Sequence, residues 1–263
     1  MSSPFERAIA VSELGDGRYG AEIVTEFNGP VAPNGGVLAA LMLRAAEREL
    51  GPGAPPARTV SAHYLAAPTP GRAELAVEVL RRGPRVCACE VRLRQGDRLA
   101  CQTTIIFSAA RSQPIALHRT PAQLPPYDPA ATFDDALLPG APPLFSRMRL
   151  QPTLGGPPFS GGEEALTGGW VSLRDDDAPL DPARLCALSD LWWPAVFGVL
   201  TEPSGVPTLQ LTVHLRVVAE PVSAPVFARF ETREITEGHL EETGELWGKD
   251  GRLLVESRQL ALL

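Results

Sequence analysis

No stretch of this 263-residue chain is both apolar enough and long enough to span a bilayer, so membrane insertion is not expected. The first residues, Met1 to Arg7, have neither a basic region nor an apolar core of the kind an export signal needs. The expected location is therefore the cytoplasm. Cysteine is scarce: Cys87, Cys89, Cys101 and Cys186 form no CxxC or zinc-ligand spacing. That pattern predicts buried, reduced thiols and no metal or other cofactor. Positive charge is also in deficit, with 24 Lys and Arg against 31 Asp and Glu and a formal net charge of -7. Phosphate-backbone binding draws on clustered cations, so nucleic acid is excluded as a partner, while a small anionic ligand remains compatible with a local patch. No serine sits in a Gly-x-Ser-x-Gly elbow, which removes the usual serine hydrolase arrangement.

What is present is a repeat. Thr59-Val60-Ser61-Ala62-His63-Tyr64-Leu65, followed by Gly96-Asp97-Arg98-Leu99, runs in step with Leu211-Thr212-Val213-His214-Leu215 and Asp250-Gly251-Arg252-Leu253. The offset, roughly 150 residues, is about one small domain. Between Ala110 and Pro143 the chain is dense in proline and has no sustained periodicity, as a linker would be. The predicted organisation is a first repeat over 1–109, a linker over 110–143, and a second repeat over 144–263.

Each repeat has one helical segment among strand segments. In the first, Pro33-Asn34-Gly35-Gly36 turns into an amphipathic helix with Val37, Leu38, Leu41, Met42 and Ala45 on one face, ended by Gly51-Pro52. Four strands follow, over Arg58–Ala66, Ala73–Arg81, Val86–Arg94 and Arg98–Phe107. In the second, Asp181-Pro182 is an N-cap with proline at the first helical position, and the helix is expected to run to about Leu200. Its four closing strands are Pro207–Val218, Val226–Glu234, Glu237–Trp247 and Gly251–Leu263. The resulting class is α+β: two tandem repeats, each a curled antiparallel sheet wrapped around one long helix.

Three polar residues of the second repeat stand out. Asp190 shares its expected helix face with Cys186, Trp193 and Phe197, and the opposite stripe is apolar too, so the carboxylate has little solvent to face. Burial raises a carboxyl pKa toward that of a working base. Pro194 cannot donate a helical hydrogen bond to the carbonyl of residue 190, which predicts a kink or a freed acceptor there. Gln259 lies on a largely apolar strand phase with Leu253, Val255, Ser257 and Ala261, where the first repeat has Ile105. An amide there can donate and accept, or simply satisfy backbone groups. Thr208 opens its strand on the polar phase and by alternation alone faces solvent unless a bulge turns it. His63 and His214 occupy equivalent places in the two repeats, which argues for structural roles.

With those residues in view, the chain resembles the acyl-CoA thioesterase II family of double-hotdog thioesterases over nearly its full length. The resemblance rests on an Asp in Ser189-Asp190-Leu191-Trp192-Trp193-Pro194, a Thr opening the next strand in Pro207-Thr208-Leu209, and a Gln in the last strand in Ser257-Arg258-Gln259-Leu260. Gln210-Leu211 stands where better-studied members carry an Asp-His pair, so the chain resembles a divergent, mostly bacterial branch. The resemblance implies hydrolysis of a fatty acyl-CoA by a water that Asp190, Thr208 and Gln259 hold and activate. Gly35 and Gly36, at a helix start, are candidates for oxyanion or substrate contacts, against the plainer reading of a tight turn capped by Asn34. Trp192, Trp193 and Phe197 are candidates for an acyl tunnel. By analogy with other hotdog assemblies, a homo-oligomer is expected. A hotdog dehydratase is disfavoured because no His lies on the Asp190 segment. The remaining alternative is a non-catalytic acyl-CoA-binding or assembly module.

Overall fold

The computed structural model describes residues 2–112, 114–115, 117, 124–131, 141–216 and 222–263. A short helix α1 (Pro4–Ala8) is capped by Ser3, and the strands β1 (Val11–Gly15) and β2 (Arg18–Ile23) form a hairpin. Helix α2 (Gly35–Leu50) follows, and almost its whole surface is buried because the sheet curls around it. Strands β3 (Ala57–Tyr64), β4 (Gly71–Arg81), β5 (Val86–Gln95) and β6 (Arg98–Ser108) complete the first half.

The second half repeats this order with β7 (Met148–Leu154), β8 (Leu166–Leu173), α3 (Pro182–Leu188), β9 (Thr208–Leu215), β10 (Val226–Thr236), β11 (His239–Trp247) and β12 (Leu253–Leu262). The two halves join through β3 and β9, making one antiparallel sheet in the order β1-β2-β4-β5-β6-β3-β9-β12-β11-β10-β8-β7. Ser61 and Thr212 pair across this seam and their hydroxyls hydrogen-bond at 3.2 Å. This pair lies at the pseudo-twofold centre, since equivalent residues of the repeat meet there. His63 and His214 lie on the same two strands, and His63 is exposed.

Much of the proline-dense segment lies outside the described residues, so its expected role as a linker rests on the sequence. Where it is described, Leu124 and Tyr127 pack on Trp170, Phe227 and Trp247 of the second half, and Trp170 Nε1 donates to the Pro125 carbonyl at 3.1 Å. All four cysteines are buried and unpaired, and no described helix is long and apolar enough to cross a membrane.

The second helix is much shorter than the sequence suggests. It ends at Leu188 instead of near Leu200, so Asp190 lies in the turn beyond it and not in a helix interior. Two local causes act together. Ser189 Oγ donates back to the Cys186 carbonyl at 2.7 Å, a side-chain bond that competes with continued helix. Pro194 then removes a donor and biases Trp193 away from helical backbone. The chain resumes only as a 3₁₀ turn over Ala195–Gly198.

Candidate active site

Helices α2 and α3 pack against one another, with the start of α2 against the end of α3. Asp190 therefore emerges beside the N-terminus of the first-half helix. Its Oδ2 accepts from Gly36 N–H at 2.8 Å and from Asn34 Nδ2 at 3.0 Å. The same Asn34 amide reaches the Asp190 carbonyl at 2.7 Å, the acceptor left without a helical donor by Pro194. Asn34 Oδ1 meanwhile caps α2 by accepting from Val37 N–H at 3.0 Å. One side chain thus starts the first helix and restrains the aspartate of the second half.

Burial pushes the Asp190 carboxyl up to about 6, and the Gly36 N–H, the Asn34 amide and the Gly35 N–H each pull it back toward the ordinary range. The Gly36 N–H is engaged by Asp190. The glycines are required by space: a Cβ on Gly35 would lie 2.9 Å from the Tyr64 ring, and one on Gly36 would lie 2.8 Å from both the Asp190 Cβ and the Ala187 carbonyl oxygen. Tyr64 closes this corner by donating to the Gly35 carbonyl at 2.7 Å. Burial, then the charge of Asp190, raises its pKa well above the usual phenol value.

Thr208 and Gln259 meet on the inner face of the sheet. Thr208 Oγ1 donates to Gln259 Oε1 at 2.9 Å. Strict alternation would have turned Thr208 outward, and a bulge prevents this: Leu260 pairs with Gln210, but Ala261 pairs with Thr208, leaving Leu209 extra on β9. The first half has the same irregularity between Ala57 and Thr59. Register makes the comparison of the halves explicit. Val60 pairs with Ile105 as Leu211 pairs with Gln259, and Ala57 pairs with Phe107 as Thr208 pairs with Ala261. Ile105 and Ala57 are both buried, so Gln259 and Thr208 are polar replacements at core positions.

A fourth polar residue belongs to this group and was not among those singled out in the sequence. Glu242 is Gln259's cross-strand partner on β11, and the equivalent partner of Ile105 is buried Cys89. Its Oε1 accepts from Gln259 Nε2 at 2.7 Å and its Oε2 from Ala195 N–H at 2.5 Å. The signal was present in the alternation, because Leu240, Glu242, Gly244 and Leu246 share the inward phase of their strand.

All these side chains open on one cleft of about 300 Å³. Its apolar walls include Leu38, Phe145, Trp192, Trp193, Phe197 and Leu240, so the three aromatics expected near Asp190 do line it. Among the described lining residues there is no Lys, Arg or His, and the titratable groups are Tyr64, Asp190 and Glu242. An apolar slot that ends on a carboxylate, a hydroxyl and an amide has the chemical groups needed to hold and deprotonate a water beside an apolar ester or thioester. No cluster of candidate metal ligands occurs among the described residues.

A family model described as the acyl-CoA thioesterase C-terminal domain matches residues 120–263, and one described as the acyl-CoA thioesterase N-terminal domain matches residues 25–108. A hotdog-fold protein of unknown function from Alicyclobacillus acidocaldarius superposes with a TM-score of 0.88 at 23% identity, covering 100% of this chain and 98% of that one. A candidate thioesterase II from Thermobifida fusca gives 0.80 at 27% identity, covering 99% and 97%. An acyl-CoA thioesterase II from Mycobacterium marinum gives 0.75 at 16% identity, covering 98% and 97%, a likeness of fold. An uncharacterized protein of Mycobacterium tuberculosis is 27% identical over 88% of this chain and 85% of its own length.

Proposed function

The chain belongs to the acyl-CoA thioesterase family, and on that premise we propose that it hydrolyses the thioester of an acyl-CoA with an uncharged, apolar acyl chain, through a water held by Asp190, Thr208 and Gln259. The observation that carries this reading is the convergence on one apolar cleft of a buried carboxylate with a raised pKa and a hydroxyl–amide pair. Asp190 takes a proton from the water as its oxygen attacks the thioester carbonyl carbon. Thr208 and Gln259 fix the water's direction, which lowers the entropic cost of attack. Collapse of the tetrahedral intermediate breaks the carbon–sulfur bond, and the proton on Asp190 passes to the leaving thiolate. The products are the free acid and CoA.

In this reading Gly35 and Gly36, candidates from the sequence for oxyanion or substrate contacts, serve instead by holding the base, because their N–H groups face Asp190. The positive end of α2 still favours negative charge developing beside it. The absence of cations from the described lining supports a neutral acyl chain over one bearing a second carboxylate.

Free-thiol release from a panel of acyl-CoAs tests the reading. Wild-type protein is expected to turn over acyl-CoAs with apolar acyl chains, and Asp190→Asn to lose about 10²- to 10⁴-fold in kcat, the usual contribution of a positioned general base. Wild-type protein that binds acyl-CoA but never releases thiol would replace hydrolysis with binding.

A further inference from the structure

Glu242 is 3% exposed on the inward face of β11 and forms no ion pair with a described Arg, Lys or His. Apart from the Ala195 N–H, its hydrogen-bond donor is the side chain of Gln259. An ionised carboxylate accepts and cannot donate, whereas an amide has one end of each kind. Glu242 therefore admits one orientation of Gln259: Nε2 toward β11 and Oε1 toward Thr208. We propose that Glu242 is a positioning residue whose carboxylate locks the Gln259 amide, and so dictates which hydrogen-bonding groups Gln259 and Thr208 offer the attacking water. This rests on the thioesterase reading for its catalytic consequence, though not for the geometry.

The surroundings make the lock sensitive to protonation. Burial raises the Glu242 carboxyl to about 7, opposed by the Ala195 N–H and the Gln259 amide and reinforced by the charge of Asp190. Facing groups from the packed elements are Thr232 on β10, Gln259 on β12, the Ala195 backbone, and Asp190 across the cleft, where Tyr64 is the other titratable lining residue. A protonated Glu242 can donate to Oε1, and the amide is then free to flip and turn Nε2 toward Thr208.

Glu242→Gln is the informative variant, since it keeps the shape but can donate as well as accept. The expected result is a kcat lower by about 10- to 100-fold, a KM within about 3-fold of wild type, and thermal stability close to wild type. Wild-type kcat should fall on its acid limb with a slope approaching two protons, because Asp190 and Glu242 must both be ionised, and the variant should show a one-proton limb. An unchanged kcat and pH profile, or a loss seen only as raised KM and lowered melting temperature, overturns the proposal. A second measurement needs no turnover: the ¹⁵N side-chain resonance of Gln259 should titrate near pH 7 in wild-type protein, and should still titrate, at a somewhat lower pH, in Asp190→Asn. A Gln259 resonance that does not titrate, or that follows Asp190 alone, overturns the lock. Absence of thiol release by wild-type protein removes the thioesterase reading and leaves the resonance to decide the amide orientation.

Discussion

Asp190 joins its proposed role as base to a stability cost. Its carboxyl titrates near 6 in the folded chain against an ordinary value of 3.8, so the folded state binds the proton more tightly than the unfolded one. Stability from this group is complete below about pH 4 and declines as pH rises through 6, by about 3 kcal/mol at most. Asp190→Asn is therefore expected to be more stable than wild type at pH 8 by about 1–3 kcal/mol, and the gap should close below pH 4. Urea unfolding of both proteins at the two pH values checks the sign. Under the proposed mechanism activity is expected to run the other way, rising with pH as Asp190 ionises.

At the same scale, the sequence made Asp190 and Gln259 visible because each is polar in an apolar setting that periodicity reveals. Glu242 obeyed the same rule on β11 and was equally legible. Thr208 was not legible from alternation, because a bulge reverses the face on which a residue falls. Its equivalence to buried Ala57 was the better guide, since a duplicated bulge leaves equivalent residues on equivalent faces.

Among elements, the contact of α2 with the end of α3 controls the site. Gly36→Ala would set a Cβ against the Asp190 Cβ and the Ala187 carbonyl oxygen, with backbone on one side that cannot move aside cheaply. The expected cost is about 2 kcal/mol or more of stability, accompanied by loss of thiol release as Asp190 is displaced; chemical denaturation and the thioesterase assay on one preparation test both. A second contact between elements is ionic. Arg184 on α3 bonds Asp176, Asp181 and Glu6, while Arg44 on α2 bonds Asp181. Arg184→Met leaves buried Asp176 without its cation and is expected to cost about 3–5 kcal/mol, read from the same denaturation curves. Helix α3 itself shows where element boundaries escape sequence reading. An apolar stripe continued well past Leu188, but Ser189 and Pro194 ended the helix locally, and the stripe became cleft wall.

For the whole molecule, the sheet is continuous across β3 and β9 and one hydrophobic cluster takes in residues of both halves, among them Leu41, Leu43, Leu185 and Leu191. A tandem repeat built this way should unfold as one cooperative unit. Calorimetry is expected to show a single transition, and two resolved transitions would show halves that are energetically separate. The three polar residues singled out in the sequence all belong to the second repeat, which on that count alone would leave the first as scaffold. The first half does more than that: Asn34, Gly35, Gly36 and Tyr64 bound the corner in which Asp190 sits.

The sequence by itself determined the α+β class, the duplication, most strand positions, and which residues break an apolar pattern, because periodicity and repetition are properties of the chain read in order. Only tertiary structure decided that the carboxylate of one repeat is held by the helix start of the other, that Leu209 bulges and turns Thr208 inward, and that Glu242 accepts from the Gln259 amide. Each of those depends on which groups distant in the chain come within hydrogen-bond reach, and distance through space is not encoded in local spacing.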